Sequence, residues 1–173
     1  MPAIFRSPFS EDLIAKHLYQ RDSQDCGPYS VAMILNSLLM TDHDPHELAL
    51  EMNKVRWRFI LPVFLRVKNW ATFPWGISTM LREKGLQSKI HYFSNTNDLI
   101  NDIGADKLQI VIVGGFRPLW AHYKILVEYD AIEERYGFVD AGFDVRATTY
   151  QNAADFEAQW RNLVRIRIVA SLQ

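Results

Sequence analysis

The sequence predicts an α+β domain, and three observations predict it. Residues 1–85 carry mainly helical spacing of apolar residues, whereas residues 86–173 read mainly as strands with two short helices between them. Helices first and a largely antiparallel sheet after define the class. No internal repeat or low-complexity linker divides the chain, so residues 1–173 read as a single domain. The first helix begins around Asp25 to Pro28 and runs to about Leu39. Asp25 is placed to cap it, and Pro28 is tolerated because it falls in the first turn. Val31, Ile34, Leu35 and Leu38 then bury one face. A second helix opens at Asp44-Pro45-His46-Glu47, with Asp44 as N-cap, Pro45 as first helical residue and Glu47 closing a capping box. A third, near residues 75–84, stops at Gly85.

Beyond Gly85 the pattern changes. Residues 87–93 read as a strand, and 96–103 as a helix capped by Thr96 or Asn97. The β-branched run 108–113 suggests a strand buried on both faces, with Gly114-Gly115 ending it. Strands follow at 122–129 and 136–140, joined by the polar turn Glu133-Glu134-Arg135. Residues 153–163 form a helix with Phe156 and Trp160 on one side, and 164–169 a last strand.

Composition narrows the function. The 173 residues are 49% hydrophobic and 23% charged, which matches neither disorder nor a coiled coil. A net charge of −1 gives no bulk attraction to nucleic acid or acidic membrane. The single cysteine excludes an internal disulfide and any multi-cysteine metal site. The longest nearly uninterrupted apolar run, residues 59–65, is far short of a membrane span, and the first residues lack a signal-peptide pattern. The expected compartment is therefore the cytoplasm.

Cys26 is the first candidate for chemistry. A thiol at a helix start feels the positive end of the helix dipole, which favours the thiolate. Gly27 removes bulk beside the sulfur, so that a substrate backbone can approach. The plainer reading is a buried, inert cysteine. Among the five histidines, His17 and His91 have no partner pattern, and polar capping explains His43 and His46. His122 opens a strand directly after a loop, where a rigid sheet presents it towards a helix N-terminus. Asp140 ends the next strand, and antiparallel pairing returns it beside His122, where a carboxylate fixes the tautomer and stabilises the imidazolium. Alone, Asp140-Ala141-Gly142 is only a turn. Gln20 precedes Cys26 at a distance that lets its amide donate beside the Cys26 N–H as an oxyanion hole. Gln24 is its rival but lies too close in sequence to fold back easily over the sulfur.

The ordered set Gln20, Asp25-Cys26-Gly27-Pro28, His122-Tyr123 and Phe138-Val139-Asp140 resembles cysteine peptidase family 39. These are the bacteriocin-processing, double-glycine leader peptidases of the papain-like clan and their stand-alone relatives. The resemblance spans about residues 18–168. It implies a papain-like fold with the cysteine helix packed on a sheet that carries His and Asp. It also implies Cys26 as nucleophile, His122 as base, Asp140 as its orienter and Gln20 as oxyanion donor, with no metal or organic cofactor. Where the family often has Asp-Pro, this chain has Asp140-Ala141. Where small or polar residues commonly precede the histidine, it has Leu119-Trp120-Ala121, so Trp120 is placed to narrow or cover the cleft and contact substrate. The expected partner is a peptide or protein substrate. The same triad also serves acyl transfer to an amine, and the same fold serves a non-catalytic peptide-binding module.

Residues 54–70 carry Lys54, Arg56, Arg58, Arg66 and Lys68 and no acid, with Trp57, Phe59, Phe64 and Trp70 interleaved. The 53 residues before them hold three basic and eight acidic side chains. A partner-docking or membrane-surface strip fits this segregation, and so does single-stranded nucleic acid. A loop whose aromatics cover the core while its arginines stay wet fits it too, since Pro62 interrupts any amphipathic helix.

Overall fold

The computed structural model describes residues 3–173. Along the chain the elements are β1 (Ile4–Arg6), α1 (Ser10–Ala15), α2 (Cys26–Leu38), α3 (Pro45–Met52), β2 (Arg56–Arg58), β3 (Leu61–Val63), β4 (Arg66–Val67), β5 (Ala71–Thr72) and α4 (Pro74–Glu83). They continue with β6 (Gln87–His91), α5 (Thr96–Ile103), β7 (Leu108–Phe116), β8 (Leu119–Asp130), β9 (Arg135–Val139), β10 (Thr149–Asn152), α6 (Ala153–Asn162) and β11 (Arg167–Ser171).

An antiparallel sheet ordered β10-β9-β8-β7-β11-β6 forms the centre, and β1 pairs with the far end of β8. Its two faces bury different apolar sets, as the period of two in a strand requires. Ile110, Ile112, Tyr123, Ile125, Val139 and Ile168 pack against α1–α4. Val111, Val113, Leu126, Tyr136 and Phe138 pack against Leu99 and Ile103 of α5 and Phe156 and Trp160 of α6. The strand read at 108–113 is thus buried on both faces, as its β-branched run suggested. It does not stop at Gly114-Gly115: the hairpin continues to Phe116↔Leu119. A Cβ on Gly115 would stand 2.7 Å from the Trp120 indole nitrogen, so the glycines let the two strands stay paired beneath a tryptophan.

Helix α2 is buried all round, not on one face: every residue from Gly27 to Leu38 is inside, and Cys26 alone keeps solvent access. A helix with no polar face has to run through the interior. Asp25 stands at its N-cap position but makes no side-chain cap. Its carboxylate instead pairs with the Arg66 guanidinium. For α3, Asp44 accepts from the His46 N–H as the sequence implied. For α5 the cap is Asn95, one residue earlier than expected, in a capping box with Asp98. Buried Arg167 ties α5 to the sheet through the Asp98 carbonyl, Asp102 and Gln109. Gly85 ends α4 with φ of +100°, a backbone that glycine adopts without strain.

Residues 56–72 fold into two small hairpins, with Pro62 paired opposite Trp57. Arg56 there pairs with Glu83 at 2.9 Å, and Arg66 is buried against Asp25. The segment is therefore not a continuous free basic strip. Its aromatics do not seal the core either, because Trp57, Phe59 and Trp70 remain exposed. Among the described residues, no helix is long and apolar enough to cross a membrane.

Candidate active site

Three elements converge at one end of the sheet. Cys26 is the first residue of α2, where the opening N–H groups have no intrahelical acceptor. His122 lies on the part of β8 that outruns β9, whose last pair is Ile125↔Val139. Asp140 follows directly. Its Oδ1 takes the His122 Nε2–H at 2.6 Å and the Gly142 N–H at 2.8 Å. With Nε2 committed to Asp140, Nδ1 is the nitrogen left for Cys26. Gly142 closes over the pair, and a Cβ there would stand 3.2 Å from His122 Nε2. Behind it, the buried His17 donates from Nε2 to the Asp140 carbonyl at 3.1 Å, and the Gln20 N–H donates to the Ala141 carbonyl at 2.9 Å. The loop before α2 is thus fastened to the segment carrying the carboxylate.

The electrostatics follow from this geometry. Burial alone would push the His122 imidazole down. The hydrogen bond it donates to Asp140 and the neighbouring Cys26 outweigh it and hold the imidazole up at about 9. Burial works against ionised Asp140 as well, but the His122 bond and charge, the Gly142 N–H and Lys124 keep it below the usual carboxylate range. At neutral pH the pair is therefore an imidazolium against a carboxylate. Tyr123, buried beside the site, is pushed well up by burial and then by Cys26, and its hydroxyl donates to the Thr72 carbonyl at 2.8 Å.

Cys26 opens into a cavity of about 340 Å³ walled by Gln24, Trp70, Leu119, Trp120 and Leu163. A larger one, about 790 Å³, lies on the other side of Trp120 and is lined by His122, Asp140, Lys124, Phe138 and Gln159. Trp120 stands on the wall common to both.

Three expected placements differ. Gln20 is near the site, but its Nε2 donates to the Ser23 carbonyl at 3.0 Å, while buried Oε1 has no partner among the described residues. Gln24, passed over as too close in sequence, lines the Cys26 cavity because residues 21–25 turn sharply into the helix. Gly27 does not open space for a substrate. It is buried, and a Cβ there would fall 2.6 Å from the Thr72 Cβ, so the missing side chain lets β5 pack on α2. Gly27→Ala is accordingly expected to lower stability by about 1–3 kcal/mol through overpacking. Urea denaturation measures this, and an unchanged midpoint would show that β5 yields freely.

The sequence reading missed His17, Gly142, Arg66 and Lys124. Only Lys124 carried a signal: a lysine two residues beyond His122 shares its side of the strand, directly before the apolar run Ile125-Leu126-Val127. Among the described residues, no cluster of three or more His, Cys, Asp or Glu side chains is placed to hold a metal ion.

A cysteine on the helix buried against a sheet that supplies His and Asp defines a papain-like architecture. The particular fold it takes is the one seen in C39-like peptidase domains. The sequence matches no family model and no curated protein. Solved structures supply the likeness. A Bacillus anthracis protein assigned as a C39-like peptidase superposes with a TM-score of 0.70 at 14% identity, over 91% of this chain and 94% of that one. The peptidase domain of Streptococcus ComA, a bifunctional ABC transporter of a quorum-sensing pathway, gives 0.63 at 18% identity, over 90% and 97%. A double-glycine-motif protease from an AMS/PCAT transporter, solved with its leader peptide, gives 0.61 at 12%, over 91% of each chain. The fold of this chain is therefore papain-like in the C39 form.

Proposed function

We propose that this protein is a cysteine peptidase. The observation that carries the reading is the 2.6 Å His122–Asp140 bond, standing beside the one residue of α2 that remains accessible, a cysteine. The Cys26 thiolate attacks the scissile carbonyl, and the oxyanion is held by the Cys26 backbone N–H and a glutamine amide from residues 20–24. Gln20 fills that role with the second N–H of its amide. The His122 imidazolium gives its proton to the leaving amine, and the thioester forms. His122, now neutral, takes a proton from water as the water oxygen attacks the thioester, and departure of the acid restores the thiolate–imidazolium pair. Asp140 keeps the ring oriented throughout. Binding of a leader peptide by one structural neighbour supports an extended peptide as the substrate.

The test is a peptide library read by mass spectrometry, with Cys26→Ala beside the wild type. Cleavage products are expected only from the wild type. Peptide binding without cleavage by either form would instead establish a non-catalytic module. The pH profile gives a second check. The proton donor exists below about 9 and is lost above it, so cleavage should decline as pH rises through that value. In Asp140→Asn the group that raises His122 is gone, and the decline should begin at lower pH. An unchanged alkaline limb would rule out Asp140 as the partner.

A further inference from the structure

The last clue is the cation behind the dyad. Asp140 is wholly buried, and Oδ1 takes both of its hydrogen bonds, to His122 and Gly142. Its other oxygen, Oδ2, is buried with no hydrogen-bond partner among the described residues. The Lys124 ammonium stands 3.8 Å from it. That ammonium is itself positioned. It donates to Gln151 Oε1 at 3.1 Å, and Gln151 in turn donates to Gln159 Oε1 on α6 at 3.1 Å. Its Nζ stands 5.2 Å from the centre of the Phe138 ring. Strand β7 presents Val111 opposite, so no charge approaches from that side.

We propose that Lys124 is a positioning residue for the His122–Asp140 pair: held by Gln151 and Phe138, it supplies the positive charge that balances the orphaned oxygen of Asp140. A carboxylate with one oxygen unsatisfied in a low-dielectric site is costly unless a cation stands near. Asp140 is the charged group acting on Lys124, while burial draws the ammonium down from its ordinary value. The alternating row Cys26, His122, Asp140 and Lys124 then sums to no net charge when the thiolate–imidazolium pair forms. Without Lys124 it would sum to minus one.

The role assigned to Lys124 rests on the catalytic reading of Cys26 and His122, but its test does not require cleavage. Removal of a cation raises every neighbouring titration, because each protonated form gains relative to its base. In Lys124→Met and Lys124→Gln, the His122 ring, followed by NMR, should therefore titrate at higher pH than in the wild type. Cys26 alkylation by iodoacetamide at pH 5–6 should slow about three- to tenfold. Lys124→Arg keeps the charge and should stay near the wild type in both readouts. Loss of packing alone would not move the His122 titration in a fixed direction. A His122 titration unmoved or lowered in both neutral variants, with circular dichroism unchanged, overturns the proposal. The two readings fail separately. A wild-type Cys26 that alkylates like a free thiol sinks the peptidase reading, while a His122 titration that still follows the charge at position 124 upholds Lys124.

Discussion

His122→Ala is expected to reduce peptide cleavage by roughly three to four orders of magnitude or more, as loss of the general base does in triad hydrolases. The loss has two sources. Without the imidazolium, Cys26 has no partner for its negative charge and the leaving amine no proton donor. In addition, Asp140 keeps the Gly142 N–H but loses its 2.6 Å bond in a site where its side chain has no exposure. Burial then acts on the carboxylate with less opposition, and it protonates at higher pH than in the wild type. Alkylation should report the same event without substrate: Cys26 is expected to react more slowly at pH 6 in the variant than in the wild type. Cleavage retained within tenfold of the wild type would remove His122 from the mechanism.

The chemistry of the site was legible in sequence to the extent that it was local. Asp25-Cys26-Gly27-Pro28 announces a helix start because proline and glycine act on the backbone at their own positions. His122 and Asp140 could be paired because the antiparallel return from one strand to the next is short. Features set by distant contacts were not legible. Asp25 looks like a cap, yet Arg66, 41 positions away, takes its carboxylate. Gly27 looks like an opening, yet Thr72 fills it. The short strands β1 and β10 hold three and four residues, too few to show a period, and the sheet supplies the partners that order them. The first hairpin, at 56–63, was hidden for another reason. A positive φ at Phe59 puts a bulky residue where turn chemistry would select glycine or asparagine.

Arg66→Met should produce the largest stability change. The Arg66 side chain is 2% exposed and that of Asp25 16%, so the pair is nearly cut off from water. Removing the guanidinium leaves a carboxylate facing a space shaped for a cation, at a cost of about 3–5 kcal/mol. Small domains have only about 5–15 kcal/mol in total, so the variant should be partly unfolded at modest urea. The pair as a whole need not be strongly stabilising, since Arg66 Nε is itself buried with no partner among the described residues. Arg66→Met combined with Asp25→Leu should therefore recover most of the loss, with a coupling of several kcal/mol in the double-mutant cycle. Two equal, additive losses would show instead that each side chain acts through packing alone. The consequence for the site follows from adjacency: Asp25 directly precedes Cys26, and Arg66 sits on the hairpin whose other strand, β5, packs on Gly27. Loosening this clamp in the single variant should free the start of α2, so that Cys26 alkylation loses its dependence on His122 before the rest of the domain unfolds.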